Sequence, residues 1–441
     1  MEALVGGFIV LLFLVFFLGA GTWIFAGLIL VSICGLSLIL DFSLHRVGVI
    51  ITKILYRYAS TWELAAIPMF MWMGEIIFRT DVSDRLFRGL SPLVDKIPGR
   101  LLHTNVAGCT LFAAVSGSST ATTATVGKIT TTELAQRGYD TNLSIGSLAG
   151  AGSLGLLIPP SIVLIIYGLL AEQSVSRLFA AGIFPGLVIS GLYSSYIAAR
   201  CILNPRLVPE REEQYTWSDR LHGLVLLTPV VFLVFLVLGS IYTGLATPSE
   251  AAAVGVAGTI LVTVVLRQLT WQIFKDSLMG AVKLSCMVCI ILVAAAFLST
   301  AMGYLHIPAE IARFIATLGL SPYALLFILA IFYIILGFFL DGISIVVMSL
   351  PIALPLIVQA GFDPIWFGIF LVLMVELGQV TPPVGFNLFV LQGLTRHSIG
   401  RVAYAALPFF LLMCIGVVIV TIWPEIALWL PGVLFDKPPG T

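Results

Sequence analysis

The chain consists largely of long apolar runs separated by short polar joints. Residues 222 to 242, 246 to 266 and 402 to 423 are such runs, each close to the ~20 residues that carry an α-helix across the hydrocarbon core of a bilayer. The runs are continuous rather than alternating. This predicts helices and not barrel strands, since a helix satisfies its own backbone hydrogen bonds in lipid. About a dozen such segments can be traced. The first, Val5 to Leu18, has no basic residue before it, and hydrophobicity resumes at Trp23. It reads as a retained helix and not as a secretion leader. The expected fold class is an all-α polytopic membrane protein.

The interruptions of this pattern carry the chemistry. The stretch 115 to 127, "VSGSSTATTATVG", holds seven hydroxyl side chains. The apolar stretch 103 to 115 before it is too short to span, and Lys128, Thr130 to Thr132, Glu133 and Arg137 follow it. A re-entrant hairpin is the economical reading, with its non-helical tip buried in protein or reached by water. Leu340-Asp-Gly-Ile-Ser344 takes the corresponding place in the second half. Downstream of each tip comes a broken helix, "GSLGLLIPPSIVLIIYG" and "LGQVTPPVGFNLFVLQGL". Pro159-Pro160 and Pro382-Pro383 remove amide donors and turn the preceding residue out of helical geometry.

The 17 residues 204 to 220, "NPRLVPEREEQYTWSDR", are the longest polar stretch. They predict a linker, 204 to 221, between a first repeat, 1 to 203, and a second, 222 to 441. At an offset of 223 to 225, Arg88 falls on Arg313, Gly117 on Gly342, Ser119 on Ser344, and Pro159-Pro160 on Pro382-Pro383. Two repeats with paired hairpins and broken helices point to a secondary transporter, with its site at the repeat interface.

Neutral carbonyls and hydroxyls at such breaks suit Na+, a hard cation. The candidate ligands are Ser116, Gly117, Ser118, Ser119, Thr120 and the Ile158 carbonyl region in the first half. In the second they are Asp341, Gly342, Ser344 and Thr381. The half-helices that follow each break present amide donors to an anion. This gives a substrate-binding set of Pro159, Pro160, Ser161, Pro382, Pro383, Gly385 and Asn387. Gly, Ser and Thr are also ordinary packing residues between membrane helices, so the pairing of two tips with two Pro-Pro breaks carries more weight than any one residue. Asp341 is an intramembrane carboxylate, functional by default, although a helix cap also accounts for it. Glu376 and Glu250 have weaker context, and Glu250 in "TPSEAAAVG" suits a helix start.

Composition agrees with this reading. Of 441 residues, 59% are hydrophobic and 10% charged, and the 22 basic residues balance the 22 acidic ones, so no charge excess points to nucleic acid. Cys286-Met-Val-Cys289 has a metal-like spacing but sits in an apolar run without histidine support, and packing is the simpler role. Gly150-Ala-Gly152-Ser-Leu-Gly155 fits G-x-G-x-x-G but lacks the βαβ context of a dinucleotide site, which leaves close helix packing with a soft break. Arg46, Lys53 and Arg57 interleave with apolar residues as in an interfacial helix, and Arg267, Lys275 and Lys283 mark a counterpart. Asp341 has no intramembrane Asp mate, and none of the five histidines stands in a metal motif. The chain reads as a transporter and not as an enzyme.

Taken in order, "VSGSSTATTATVG", "GSLGLLIPPSIVLIIYG", "GLATPSEAAAVG" and "LGQVTPPVGFNLFVLQGL" resemble the large membrane subunit of tripartite ATP-independent periplasmic (TRAP) transporters, almost from end to end. Lys128, just after the first tip, is the one departure. The resemblance implies an elevator-type symporter in the bacterial inner membrane, coupled to Na+, that imports an organic acid. It also implies delivery by a periplasmic substrate-binding protein and a small membrane subunit of about four helices. The alternative is a self-sufficient Na+/dicarboxylate symporter that needs no binding protein.

Overall fold

The computed structural model describes residues 2–210, 215–310, 313, 319–338, 340–382 and 385–436. Among these the regular structure is helical. The first half holds α1 (Glu2–Gly19), α2 (Ile24–Cys34), α3 (Leu44–Ala59), α4 (Ala66–Phe78), α5 (Val82–Val94), α6 (Leu102–Ser116), α7 (Ser119–Gln136), α8 (Thr141–Gly152), α9 (Ile162–Leu170) and α10 (Val175–Leu203). The second holds α11 (Trp217–Tyr242), α12 (Pro248–Val265), α13 (Trp271–Tyr304), α14 (Pro322–Gly337), α15 (Gly342–Gln359), α16 (Pro364–Gln379), α17 (Phe386–Thr395), α18 (Ile399–Ile422) and α19 (Glu425–Phe435).

Six of the described helices, α10, α11, α12, α13, α15 and α18, are long and apolar enough to cross a membrane. Several others are halves. The arms α6 and α7 meet at Gly117-Ser118, and α14 ends at Gly337 shortly before α15 begins at Gly342, so both hairpins expected from the polar interruptions are present. At ~1.5 Å per residue, α6 is about 22 Å long, short of the ~30 Å hydrocarbon core. Lys128 is exposed on α7 and the helix runs on past it to Gln136, so the lysine does not end the second arm. Both broken helices also open where expected, between α8 and α9 and between α16 and α17.

α16 sits at the centre, buried from Ile365 to Gln379. It packs against α14 and α15 of the second hairpin and against α9 and α10 of the first half. The crossing with α14 is a glycine contact: a Cβ on Gly378 would lie 2.7 Å from the Gly337 Cα. The glycines of the G-x-G-x-x-G stretch do the same elsewhere. Cβ atoms would fall 2.6 Å from Phe409 at Gly150, 1.9 Å from the Thr123 hydroxyl at Gly152 and 2.6 Å from the Ser118 carbonyl at Gly155. Outside this block, α4 packs on α12 and α13, and α11 on α5 and α12. Phe232 and Phe235 on α11 and Val264 and Val265 on α12 are exposed there, as a lipid-facing surface requires.

Two details depart from the sequence expectation. The capping box of Thr216 with Asp219 starts α11 at Trp217, so the last residues of the polar linker are already helical. Residues 267 to 283 form no separate interfacial helix. Their helical part opens the 34-residue α13 and is held to α4 by Trp72 Nε1 donating to Ser277 Oγ at 3.2 Å. The first-half arm, by contrast, is the separate helix α3, with Arg46 stacked 3.5 Å over the Phe42 ring. Glu250 serves the start of α12, where its carboxylate accepts from the Thr247 amide at 2.8 Å.

Replacing Gly378 with alanine is expected to lower unfolding stability by about 1–3 kcal/mol through overpacking, read as a fall in melting temperature of the detergent-solubilised protein. Gly239→Ala on α11, where nothing lies within 4 Å of the added Cβ, serves as the control and should leave stability unchanged or raised.

Candidate functional site

The first tip forms because Gly117 can turn the chain. It takes a left-handed φ of 61° at the end of α6, and a Cβ there would lie 2.9 Å from the Pro160 carbonyl. Ser118 then restarts the helix as N-cap of α7, its Oγ accepting from the Ala121 amide at 3.4 Å. Ser116 Oγ shares a hydrogen bond with Thr122 Oγ1 at 2.7 Å, and Thr122 Oγ1 in turn donates to the Ser118 carbonyl. At the second tip Asp341 caps α15. Its Oδ2 accepts from the amides of Ile343 at 3.1 Å and Ser344 at 3.4 Å, and Ser344 Oγ donates to Oδ1. The two caps, Ser118 and Asp341, are structural counterparts at the shorter end of the 223 to 225 offset. Gly117 and Gly342 therefore do not correspond: one turns the chain before the cap, and the other is the first helical residue after it.

The broken helices meet these tips. In the first, a short 3-10 turn, Ser153–Leu156, leads to 157 to 161, where Pro159-Pro160 is cis. Ser161, fully buried, caps α9 by accepting from the Leu164 amide at 3.3 Å. In the second, Thr381 Oγ1 donates to the Leu377 carbonyl. Gly385, with φ 21°, begins α17 where a Cβ would lie 2.9 Å from the carbonyls of Gln379 and Thr381. Pro382 is exposed, and Pro383 lies outside the described residues. Asn387 is fully buried, and neither of its amide atoms finds a partner among the described residues.

A cavity of about 470 Å³ lies over the tips, with α4 and α13 as its far wall. Ser116, Gly117, Ser118, Thr120 and Asp341 all line it, together with Leu156, Ile162 and Ile343. Five of the proposed cation ligands therefore converge on one space. Ile158, Ser119, Gly342, Ser344 and Thr381 do not line it. Ile158 packs its side chain against Gly186, and Ser119 turns into the protein, donating to Gln379 Oε1 at 2.6 Å. The charged residues of the lining are Asp341 and Glu75, the latter paired with Arg79 at 3.0 Å; no Lys or Arg lines the cavity among the described residues.

Two polar residues of α16 join the halves at this point. Glu376, 1% exposed, accepts from the Leu156 amide at 3.0 Å through Oε1. Gln379, one turn later, holds Ser119. Glu376 stands out in the sequence as a carboxylate in an apolar run. Gln379 and Glu75 do not, because a glutamine near a helix end and an acid four residues before an arginine are common surface patterns.

The family model of the tripartite ATP-independent periplasmic transporter, DctM component, matches residues 6–426. The C4-dicarboxylate TRAP transporter large permease protein DctM of Pseudomonas aeruginosa is 36% identical, over 91% of this chain and 93% of its own. The isethionate TRAP transporter permease protein DctMQ of Oleidesulfovibrio alaskensis is 31% identical over 87% of this chain, which spans 60% of that longer protein. In fold the chain is similar to the crystal structure of the Alcanivorax borkumensis YdaH transporter, with a TM-score of 0.60, 13% identity and 91% of each chain covered. Two helical hairpins facing two broken helices, a family model matched nearly end to end and a relative of similar length at 36% identity place this multi-pass membrane protein among the large permeases of the TRAP transporters, in the DctM component family.

Proposed function

We propose that the chain is the transmembrane carrier of an Na+-coupled importer of organic acid anions in the bacterial inner membrane. A periplasmic binding protein delivers the substrate, and a small membrane subunit completes the scaffold. The observation that carries the reading is the cavity at the two tips. Half-helix N-termini capped by Ser118, Ser161 and Asp341 converge around it, and such termini attract anions. Yet its charged lining is acidic, which opposes an anion until a cation has entered. Na+ held among the carbonyls and hydroxyls of Ser116, Gly117, Ser118 and Thr120 and at Asp341 would offset that charge, so anion uptake depends on cation binding.

Substrate class follows from the relatives, whose names specify a C4-dicarboxylate and isethionate, both acid anions. Both relatives are named TRAP transporters, which favours delivery by a binding protein over the self-sufficient alternative. The repeat of tip, cap and helix break in each half supports descent from one duplicated unit, with the central block sliding against α4, α11, α12 and α13. Between the arm α3 and the turn after α9 runs one exposed ion pair, Arg57 to Glu172 at 2.9 Å. Exposed pairs contribute ~0–1 kcal/mol, a hold weak enough to be remade as the block moves.

Uptake into proteoliposomes carrying this chain, its small subunit and the loaded binding protein should require an inward Na+ gradient. Uptake that persists without Na+ and collapses with the pH gradient would overturn the coupling. Ser118→Ala removes a tip oxygen that lines the cavity and should raise the Na+ requirement on the order of tenfold, whereas Ser37→Ala, outside the cavity lining, should not.

The same vesicles made without the small subunit, or supplied with free substrate in place of the binding protein, should lose transport. Full activity of the chain alone would restore the self-sufficient alternative.

A further inference from the structure

The contacts of α16 reach beyond its own half of the chain. Gln379, its last residue, is 3% exposed. Its Oε1 accepts from Ser119 Oγ at the first hairpin tip, at 2.6 Å. Its Nε2 rests against the second tip, where a Cβ on Gly342 would come within 2.7 Å. One turn before it, Glu376 holds the amide of Leu156 in the 3-10 turn of the first broken helix. Gly342 also faces Leu156, 3.0 Å from its Cβ position. The residue after Gln379 begins the second helix break, so a single amide touches both tips at the point where its own helix opens.

We propose that Gln379 is a positioning residue that couples the two helix-break sites, so that filling one sets the geometry of the other, with Glu376 fixing the first broken helix to the same frame. The inference rests on the reading that the breaks bind coupling cations. The physical basis is the lack of slack. No water competes for a buried hydrogen bond, and a 2.6 Å contact cannot survive independent movement of the tip and α16. Ser119 spends its one proton on Gln379 and leaves the cavity to Ser116, Ser118 and Thr120. Displacement of the first tip on cation binding is therefore passed to Gln379, and through its amide to Gly342 and the cap at Asp341. Such coupling is reciprocal by linkage.

The test is Na+-activated uptake by the reconstituted three-component system, with wild type, Ser119→Ala, Gln379→Ala and the double variant compared over a range of Na+ concentrations. Wild type should show a sigmoidal response. Each single variant should flatten it towards a hyperbola and raise the half-saturating Na+ concentration on the order of fivefold, with maximal rate largely kept. The double variant should be no worse than either single one, the signature of a shared contact. Glu376→Gln keeps an acceptor for Leu156 and should retain the wild-type slope, whereas Glu376→Leu should not. An unchanged slope in Gln379→Ala, or additive effects in the double variant, would reduce the contact to packing and overturn the proposal. A wild type indifferent to Na+ would sink the cation reading instead. The contact is then judged by hydrogen exchange on the purified chain: Gln379→Ala should speed exchange in both segments, 117 to 122 and 342 to 346. Unaltered exchange in the second segment would overturn the coupling whatever the ion. If Gln379→Ala does not fold, Ser119→Ala, which deletes only a hydroxyl, carries the same comparison.

Discussion

A helix broken at membrane depth frees amides and carbonyls that lipid cannot bond, and each of them left unsatisfied is costly. The rest of this molecule follows from meeting that demand. Three of the four openings are closed partly by their own cap, with Ser118, Ser161 and Asp341 each taking amides of the helix they begin, while the second broken helix restarts at Gly385 without one. Neighbouring elements close them further: the Pro160 carbonyl sits against Gly117, and the Leu156 amide donates to Glu376 on α16. The hairpins and broken helices are consequently brought together, because each supplies polar surface that the other needs.

The same demand explains where side chains are missing. Backbone can meet backbone only where no Cβ intervenes, and Gly117 and Gly155 around the first tip, with Gly337 and Gly378 at a helix crossing, leave that space, while Gly342 makes room for the Gln379 side chain. The result is a central block with little room for independent adjustment, surrounded by longer helices whose outer faces carry Phe, Leu and Val towards lipid. A rigid block with an acidic, hydroxyl-lined cavity at its edge is the geometry on which the proposed movement of the whole block rests.

The interruptions of the apolar pattern were legible along the chain because each break is local. A hydroxyl-rich stretch between arms too short to span, or two prolines in a row, alters backbone geometry whatever surrounds it. From such signals the two hairpins, the two broken helices and the membrane class could be read, along with Ser116, Gly117, Ser118, Thr120 and Asp341 as the polar residues that line one cavity. The alignment of the halves by residue type was less secure, since it paired Gly117 with Gly342. The caps show that Ser118 and Asp341 are the equivalent positions, and a serine and an aspartate do this work interchangeably.

What only the tertiary structure decided depends on partners far away in sequence. Ser119 and Gln379 are 260 residues apart, and Glu376 reaches Leu156 across 220; nothing in the local pattern of either residue names the other. The inward turn of Ser119, the continuity of α13 through the expected interfacial arm and the acidic lining supplied by Glu75 are likewise set by packing between elements. A sequence specifies where its own backbone must bend, because that is a property of neighbouring residues. Which freed polar group meets which is a property of the folded whole, where burial without water makes each such pairing obligatory.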